Sequence, residues 1–428
     1  MTSRRWEVVV VGAGPAGMAA AVSASQASAS ILLVDDNPES GGQIWRGGAQ
    51  HAATRQAEGW HKELAASTVE VLQGFRIFDH PAPNILLAES SHSVEQIGYS
   101  RLILCTGARE LFLPFPGWTL PNVMGAGGLQ ALVKSGFPIQ GKSVVVAGSG
   151  PLLLPVAAYL LTHGAKVQLI AEQARRASAV RFGFSLVRQP AKLTQAISLM
   201  RQLAGIPYAF DSWPIQANGS DVLKSMILRK GGSVVQIECD FLACGFHLVP
   251  NTELAALLGC EICDGTVRVD EWQRTSVRDV YCAGEPTGIG GVDSALLQGQ
   301  IAGFAATGQV SEGKRLFRTR DLQRRFAANL ERTFLIREEL KRLPQPETLI
   351  CRCEDVSFER LQPCRSWREA KLYTRCGMGP CQGRICGAAT RFLFGWQFES
   401  VRAPVFAARV ESLMVPVEQP NRSSQGVS

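Results

Sequence analysis

The chain has 428 residues, of which 46% are apolar, with 42 glycines, 12 cysteines and a net charge of +7. At roughly 100 to 200 residues per domain it holds two or three domains with sizeable cores, and this composition suits a folded α/β protein and excludes a disordered one. No apolar run reaches the roughly 18 residues of a membrane span, Glu7 interrupts the first apolar stretch, and no basic stripe with interleaved aromatics appears, so we expect a cytoplasmic protein without a transmembrane segment, signal peptide or nucleic-acid partner.

Glu7 to Val11 is a β-branched run that predicts a strand. It is followed by Gly12-Ala13-Gly14-Pro15-Ala16-Gly17 and by small residues, Met18 to Ser28, that predict a helix. In this strand, turn, helix context Gly12 permits the turn, Gly14 lets the backbone approach a pyrophosphate and Gly17 lets the helix pack on the strand, while the helix N-terminus offers N–H groups to phosphate. A second strand, Ile31 to Val34, ends in Asp35-Asp36, near the spacing of an acid that binds ribose. Gly41-Gly42-Gln43-Ile44-Trp45-Arg46 follows, and the strand Leu102 to Leu104 ends in Cys105-Thr106-Gly107-Ala108-Arg109.

Lys142 to Ala147 opens a second unit of the same kind, with Gly148-Ser149-Gly150-Pro151-Leu152-Leu153, an apolar helix ending near His163-Gly164 and a strand Lys166 to Ile170 followed by Ala171-Glu172. Leu153 takes the third glycine position, where it would push the helix away from the strand and weaken nicotinamide binding. No CxxC lies in this region, which disfavours a dithiol relay. Later, Asp279 to Glu285 is a strand that stops at Gly284 and an acid, followed by Gly290-Gly291 and a helix-like stretch, Ala295 to Ala306. This order resembles the two-dinucleotide-binding-domain flavoproteins, in which the last strand brings an acid to the ribityl chain of FAD; here that acid is Glu285 where many relatives carry Asp. The cofactor-binding set is then Gly12, Gly14, Pro15, Ala16, Gly17, Asp35, Asp36, Gly42, Gln43, Arg46, Thr106, Gly107, Ala108, Gly284, Glu285 and Gly291.

Asp321 to Leu343 carries Leu322, Phe326, Leu330 and Phe334 among charges, the pattern of an amphipathic helix, which Pro344 and Pro346 break. Basic residues gather between Lys314 and Arg391, most simply as a solvated helical face. Beyond lie Cys351-Arg352-Cys353 and Cys376-Gly377-Met378-Gly379-Pro380-Cys381, then Cys386. A loop can aim Cys351 and Cys353 to one side, and Cys381 and Cys386 supply a second pair on a glycine-rich loop whose N–H groups can bond to sulfide. Four thiolates suit a [2Fe–2S] centre or zinc, and reduced structural cysteines stay open as a third reading; the tight CxC favours iron–sulfur. The turn after Cys376 is expected to hold it away from the metal, and Cys364 has no spacing partner.

Over nearly its whole length the chain resembles the α subunits of opine oxidases, hydrogen cyanide synthase and D-hydroxyproline dehydrogenase, flavoproteins that end in a bacterioferritin-associated-ferredoxin-like domain. The segments that carry this are Gly12 to Gly17, Gly41 to Arg46, Pro114 to Pro121, Pro250 to Leu254 and Thr374 to Arg384. The resemblance implies an α/β two-dinucleotide-binding-domain fold: an FAD domain of 1–115 and 246–312, an inserted NAD(P)-binding-like domain of 116–245, a helical linker of 313–346 and a small helical [2Fe–2S] domain with a tail at 347–428. It further implies a β subunit resembling D-amino-acid and glycine oxidases that carries the substrate-oxidising FAD, with FMN between the subunits of related complexes, a small third subunit in some assemblies, and an electron acceptor that can place the complex at the inner membrane. No catalytic residue is expected in this chain, since no His–carboxylate or nucleophile–base pair stands out, and His247, where a glycine is more usual, is given no role. The favoured function is electron transfer in a complex that cleaves opines such as nopaline or octopine to an amino acid and a 2-keto acid. The alternatives are the corresponding subunit of a D-hydroxyproline dehydrogenase or hydrogen cyanide synthase, an NAD(P)H-dependent flavoprotein reductase, or a non-enzymatic partner with a zinc clip.

Overall fold

Val8, Val9, Val10 and Val11 are all buried, and a β-branched run buried on both faces belongs inside a parallel sheet. The strand Arg4–Val11 pairs in parallel with Ile31–Asp35 on one side and Val94–Leu104 on the other. In the computed structural model, which describes residues 4–27, 29–47, 54–397 and 401–416, seven strands form this sheet in the order Glu70–Gln73, Ile31–Asp35, Arg4–Val11, Val94–Leu104, Ile85–Glu89 and Arg76–Ala82, with Val280–Cys282 added in parallel to the end of Val94–Leu104. The helix predicted from Met18 begins earlier, at Pro15, and runs Pro15–Ser25. Proline suits a first helical position because its missing N–H is one no helix would use; Ser28 lies outside the described residues.

The helix Gly291–Ala306 packs on Pro15–Ser25 through glycines. A Cβ at Gly299 would run into the carbonyl of Ala16, and one at Gly303 into that of Ala20, so the two helices approach backbone to backbone. These elements belong to one compact unit, made of Met1–Ala108, Pro250–Arg324 and Ser400–Ser428.

The other unit is Arg109–Val249 with Arg325–Glu399. Its parallel sheet has five strands, in the order Tyr208–Ala209, Lys166–Glu172, Ser143–Gly148, Phe241–Gly245 and Val123–Gly125. Beside it stands an antiparallel sheet of Ser212–Asn218, Ser225–Lys230 and Ser233–Glu238. The cysteine-rich segment folds against this same unit: the Trp118 indole donates to the Leu349 carbonyl at 2.6 Å, and the Arg109 guanidinium to that of Arg384 at 3.0 Å. It contributes a two-stranded ladder, Leu349–Cys351 with Val356–Ser357, and the helices Trp367–Thr374 and Cys386–Phe394.

The amphipathic helix predicted over 321–343 is shorter and earlier, Phe317–Thr333. Phe334 to Arg337 leave the helix, and only a 3-10 turn, Glu338–Arg342, follows. The carbonyls of Phe334 and Leu335 accept from Ser149 and Gln173 instead, at 2.7 and 3.1 Å, which ends the intrahelical ladder there. Among the described residues no helix is long and apolar enough to cross a membrane.

Candidate functional site

The first dinucleotide loop is shaped by contacts that only glycine allows. Gly12 has φ +102°, and a Cβ there would meet the Cys105 carbonyl; a Cβ at Gly17 would meet the carbonyl of Gly12. Gly14 differs: its φ is −72°, and its nearest neighbour in the Cβ direction is the Cα of Gly42 at 3.9 Å. Its open side and the helix behind it, which has no side-chain cap and no acid in its first turn, leave N–H dipoles for an anion. Asp35 is buried and accepts the N–H of Ala13, along with the N–H and Nδ2 of Asn37 at 2.7 Å each. Burial pushes its carboxyl upward, against the pull of those bonds. Asp36 is exposed and pairs with Arg76 at 3.4 Å, so of the two strand-end acids only Asp35 reaches the loop.

Around this loop, Gly41-Gly42 folds beside Gly14, with Gly42 at φ +60°. Arg46 donates to Gln43 at 2.6 Å, while its buried Nε has no acceptor, a polar atom for which a bound phosphate or nucleobase is a fitting partner. Thr106 and Asn251 clasp each other: the Thr106 hydroxyl donates to the Asn251 carbonyl at 2.6 Å, the Asn251 amide to the Thr106 carbonyl at 2.9 Å, and the Asn251 N–H to Gly107 at 3.0 Å. Asn251 lies in the segment Pro250 to Leu254 that carries the resemblance but is absent from the cofactor-binding set, since no nucleotide-binding spacing marks it. Gly284, at φ +81°, lies against Ala16, where its Cβ would come within 2.8 Å of the alanine's. The Glu285 carboxylate accepts the N–H groups of Gly290 and Gly291 at 3.2 and 3.0 Å, and its burial raises its pKa. The long acid therefore caps the helix Gly291–Ala306. These residues fit a dinucleotide such as FAD: glycine backbone and helix N-terminus for pyrophosphate, Arg46 with an unmet donor, and the Thr106 to Ala108 turn close by.

In the second loop, Glu172 is fully buried and accepts the N–H of Gly150 at 2.7 Å, the N–H of Ala174 at 2.7 Å and the hydroxyl of Tyr208. Burial raises its carboxyl to about 7. Leu153 does not force the helix outward by itself. It is buried with its Cδ2 3.2 Å from where a Cβ would stand on Gly245, so the absent side chain on the next strand makes its room.

The cysteines form the candidate metal centre. A cavity of about 340 Å³ is lined by Cys351, Cys353, Cys381 and Cys386, with Phe112, Trp118, Arg352 and Ile385. All four predicted ligands face it. Their sulfurs group unevenly: those of Cys351, Cys376 and Cys386 lie within 4.8 Å of one another, while Cys353 and Cys381 hydrogen-bond to each other. The turn after Cys376 thus does not keep its sulfur apart from those of Cys351 and Cys386. Arg375 ends its helix in the left-handed region, φ +66°, which turns the next residue inward to full burial against Cys351 and Cys386. Among the described residues lining the cavity, however, Cys376 is not present. The Cys351 sulfur, which accepts from the Cys376 and Cys386 thiols and from the N–H groups of Gly377 and Glu354, is held far below the ordinary thiol range, and the other two are pushed up.

Backbone rather than side chains forms this cradle. A Cβ at Gly379 would overlap the Cβ of Cys353, and one at Gly377 the ring of Trp367; at Gly383 it would come within 2.9 Å of that ring. Trp367 therefore wedges between two glycines that are both at positive φ, +80° and +76°, and sets the path of the loop from Cys376 to Cys386. Four thiols around a cavity, with N–H donors on sulfur, match the donor set of a metal or small iron–sulfur centre.

Two nested dinucleotide folds with a thiol-lined cavity define a flavoprotein oxidoreductase component. The chain belongs to the pyridine nucleotide-disulphide oxidoreductase family, whose pattern matches residues 6–299. It is similar to one of the subunits of the opine oxidase of Rhizobium meliloti, 32% identical with 89% of this chain and 90% of that one covered. It is also similar to the HcnB subunit of the hydrogen cyanide synthase of Pseudomonas aeruginosa, 30% identical with 88% and 90% covered. Among solved structures, the L-proline dehydrogenase from P. horikoshii shares the fold at a TM-score of 0.68 and 16% identity, over 96% of this chain and 80% of that one.

Proposed function

We propose that this chain is the electron-transfer subunit of a heteromeric dehydrogenase that oxidises the CH–NH bond of opines such as nopaline or octopine. In the reaction the C–N carbon loses a hydride and the nitrogen a proton; water then cleaves the C=N bond, giving an amino acid and a 2-keto acid. That chemistry belongs to a separate β subunit with its own FAD, resembling D-amino-acid and glycine oxidases, and FMN fits the junction between the two. The observation that carries this reading is the cavity of about 340 Å³ on which Cys351, Cys353, Cys381 and Cys386 open, within a flavoprotein fold. Relatives named as subunits of opine oxidase and of hydrogen cyanide synthase support a heteromeric assembly.

FAD is held in this proposal by the loops Gly12–Gly17 and Gly41–Arg46, and a [2Fe–2S] cluster, by the four cavity thiolates, would accept and pass single electrons. The protein's own share is electrostatic. N–H groups of Gly377 and Glu354 on the Cys351 sulfur, and of Cys381 on Cys353, stabilise negative sulfur, while Phe112 and Trp118 wall the cavity and keep water from one side. Cys353 is exposed, which gives electrons a short way out.

Purifying the chain with its β partner and following dye reduction with opines, glycine and hydroxyprolines tests this. Activity with an opine only when both chains are present, together with iron and acid-labile sulfide in this one, is the expected result. Turnover by the single chain would place the active site on these residues and overturn the proposal.

A further inference from the structure

In the second dinucleotide loop the groups that would meet a pyrophosphate are already engaged. The Gly150 N–H is held by the Glu172 carboxylate at 2.7 Å. The Ser149 hydroxyl donates to the Phe334 carbonyl at 2.7 Å and accepts from Gln173 at 2.8 Å. Gln173 in turn donates to the Leu335 carbonyl at 3.1 Å and accepts the Arg337 N–H at 3.2 Å. The Phe334 ring covers Gly150, its Cγ 3.5 Å from where a Cβ would stand, and meets Phe182 edge-on at 5.4 Å. Arg337 then fastens the segment, pairing with Asp211 and with Glu339 and lying 4.8 Å over the Trp213 ring.

We infer that Phe334–Arg337 is a built-in occupant of the second dinucleotide site and excludes NAD(P)H from it, so that Phe334, Gln173 and Glu172 determine which electron donors this flavoprotein accepts. A pyrophosphate needs free N–H groups on its loop and close approach at the second glycine. Here the first are bonded and the second is covered by an aromatic ring. The Glu172 carboxylate, where ionised, would face the phosphate charge across a low-dielectric interior, which is repulsive. Of the hydrogen bonds that the ligand would have to displace, Gly150 to Glu172 and Gln173 to Ser149 are buried and those to Phe334, Leu335 and Arg337 are partly buried, and a buried bond that is broken leaves a donor or acceptor to be satisfied anew. The segment is chain-linked to its site, so its effective concentration there is in the millimolar range or above.

Exclusion of NAD(P)H from the second loop is independent of the electron-relay role. The test is titration of the FAD-loaded full-length chain with NADH, NADPH and ADP-ribose by calorimetry, with hydrogen exchange read at residues 148–153. The wild-type chain should give neither heat nor protection at about 1 mM ligand. Phe334→Ala/Glu172→Gln, which removes ring and charge, should bind at least about tenfold more tightly than wild type and gain protection at 148–153; Arg337→Ala, which unfastens the segment from Asp211 and Glu339, should gain in the same direction. Wild-type binding tighter than about 100 μM with protection at 148–153 would overturn the inference, as would a folded double variant that binds no better than wild type. Dye-linked turnover with the β partner is read separately, so either result leaves the electron-relay proposal to its own test.

Discussion

The Glu172 carboxylate holds the N–H of Gly150, as the Asp35 carboxylate holds that of Ala13. In each dinucleotide unit the acid at the end of the second strand closes on its own loop. The glutamate, one methylene longer, reaches one residue further, onto the glycine where phosphate approaches. The aspartate stops short of Gly14.

Glu172 gives the fold a pH dependence whose sign follows from its burial. Its carboxyl titrates near 7 in the folded chain against an ordinary value of 4.5, so folding favours the protonated form. The stability it contributes is complete below about 4.5 and is lost as pH rises through about 7, with a slope of at most about 1.4 kcal/mol per pH unit. Urea midpoints of the wild type should fall between pH 5 and 8 relative to those of Glu172→Gln. Parallel curves for the two proteins would show that Glu172 is ionised in the fold throughout.

Gly14→Val should purify folded but without FAD. With φ −72° and no atom nearer than 3.9 Å in the Cβ direction, the protein itself tolerates a side chain there, and only the ligand's phosphate oxygens would collide with it. Gly17→Val should behave oppositely, losing stability by about 3 kcal/mol or more because its Cβ meets the Gly12 carbonyl. Flavin absorbance of the purified variants and their thermal midpoints separate the two cases; full FAD content in Gly14→Val would contradict the assignment.

What the sequence made legible was what repeats locally. Val8 to Val11 and Val144 to Ala147 are buried runs that end in glycine, and a strand, a turn and a small-residue helix follow from near-neighbour chemistry alone. The exit of Phe334 from its helix was not legible. Leu322, Phe326, Leu330 and Phe334 keep a spacing of four, so periodicity carries the helix through a residue that tertiary bonds to Ser149 pull away. For the same reason Cys376 was read from its turn, whereas its position comes from the left-handed cap at Arg375. Glu285 was legible as an acid at a strand end, but its bonds to Gly290 and Gly291 depend on a loop whose path no spacing encodes.

Serine substitution should separate the cavity thiols from the inner one. Cys351→Ser, Cys353→Ser, Cys381→Ser and Cys386→Ser should each lose iron and visible absorbance, because all four face the cavity. Cys376→Ser should keep both, since its sulfur contacts Cys351 and Cys386 from outside the lining. Iron and sulfide analysis of the five proteins decides it. Loss in Cys376→Ser with retention in Cys353→Ser would move the ligand set to the inner three thiols.

Gly379→Ala should abolish metal retention although it changes no ligand. The added methyl would overlap the Cβ of Cys353 and come within 3.2 Å of the Glu354 carboxylate. Glu354 is itself tied to Arg375 at 2.7 Å, and Arg375 forms the cap that sets the path into Cys376. Neither side can yield without moving a thiol, and a few tenths of an ångström at two Cβ atoms is enough to spoil the geometry of a small inorganic centre. The rest of the unit is held by Trp118, Trp367 and the apolar residues around them, so the variant should keep its circular dichroism and its thermal midpoint within a few degrees while iron content falls at least about tenfold. A Gly379→Ala protein with full iron and an unchanged visible spectrum would show that the cradle drawn by Cys353 and Gly379 is not where the metal is held.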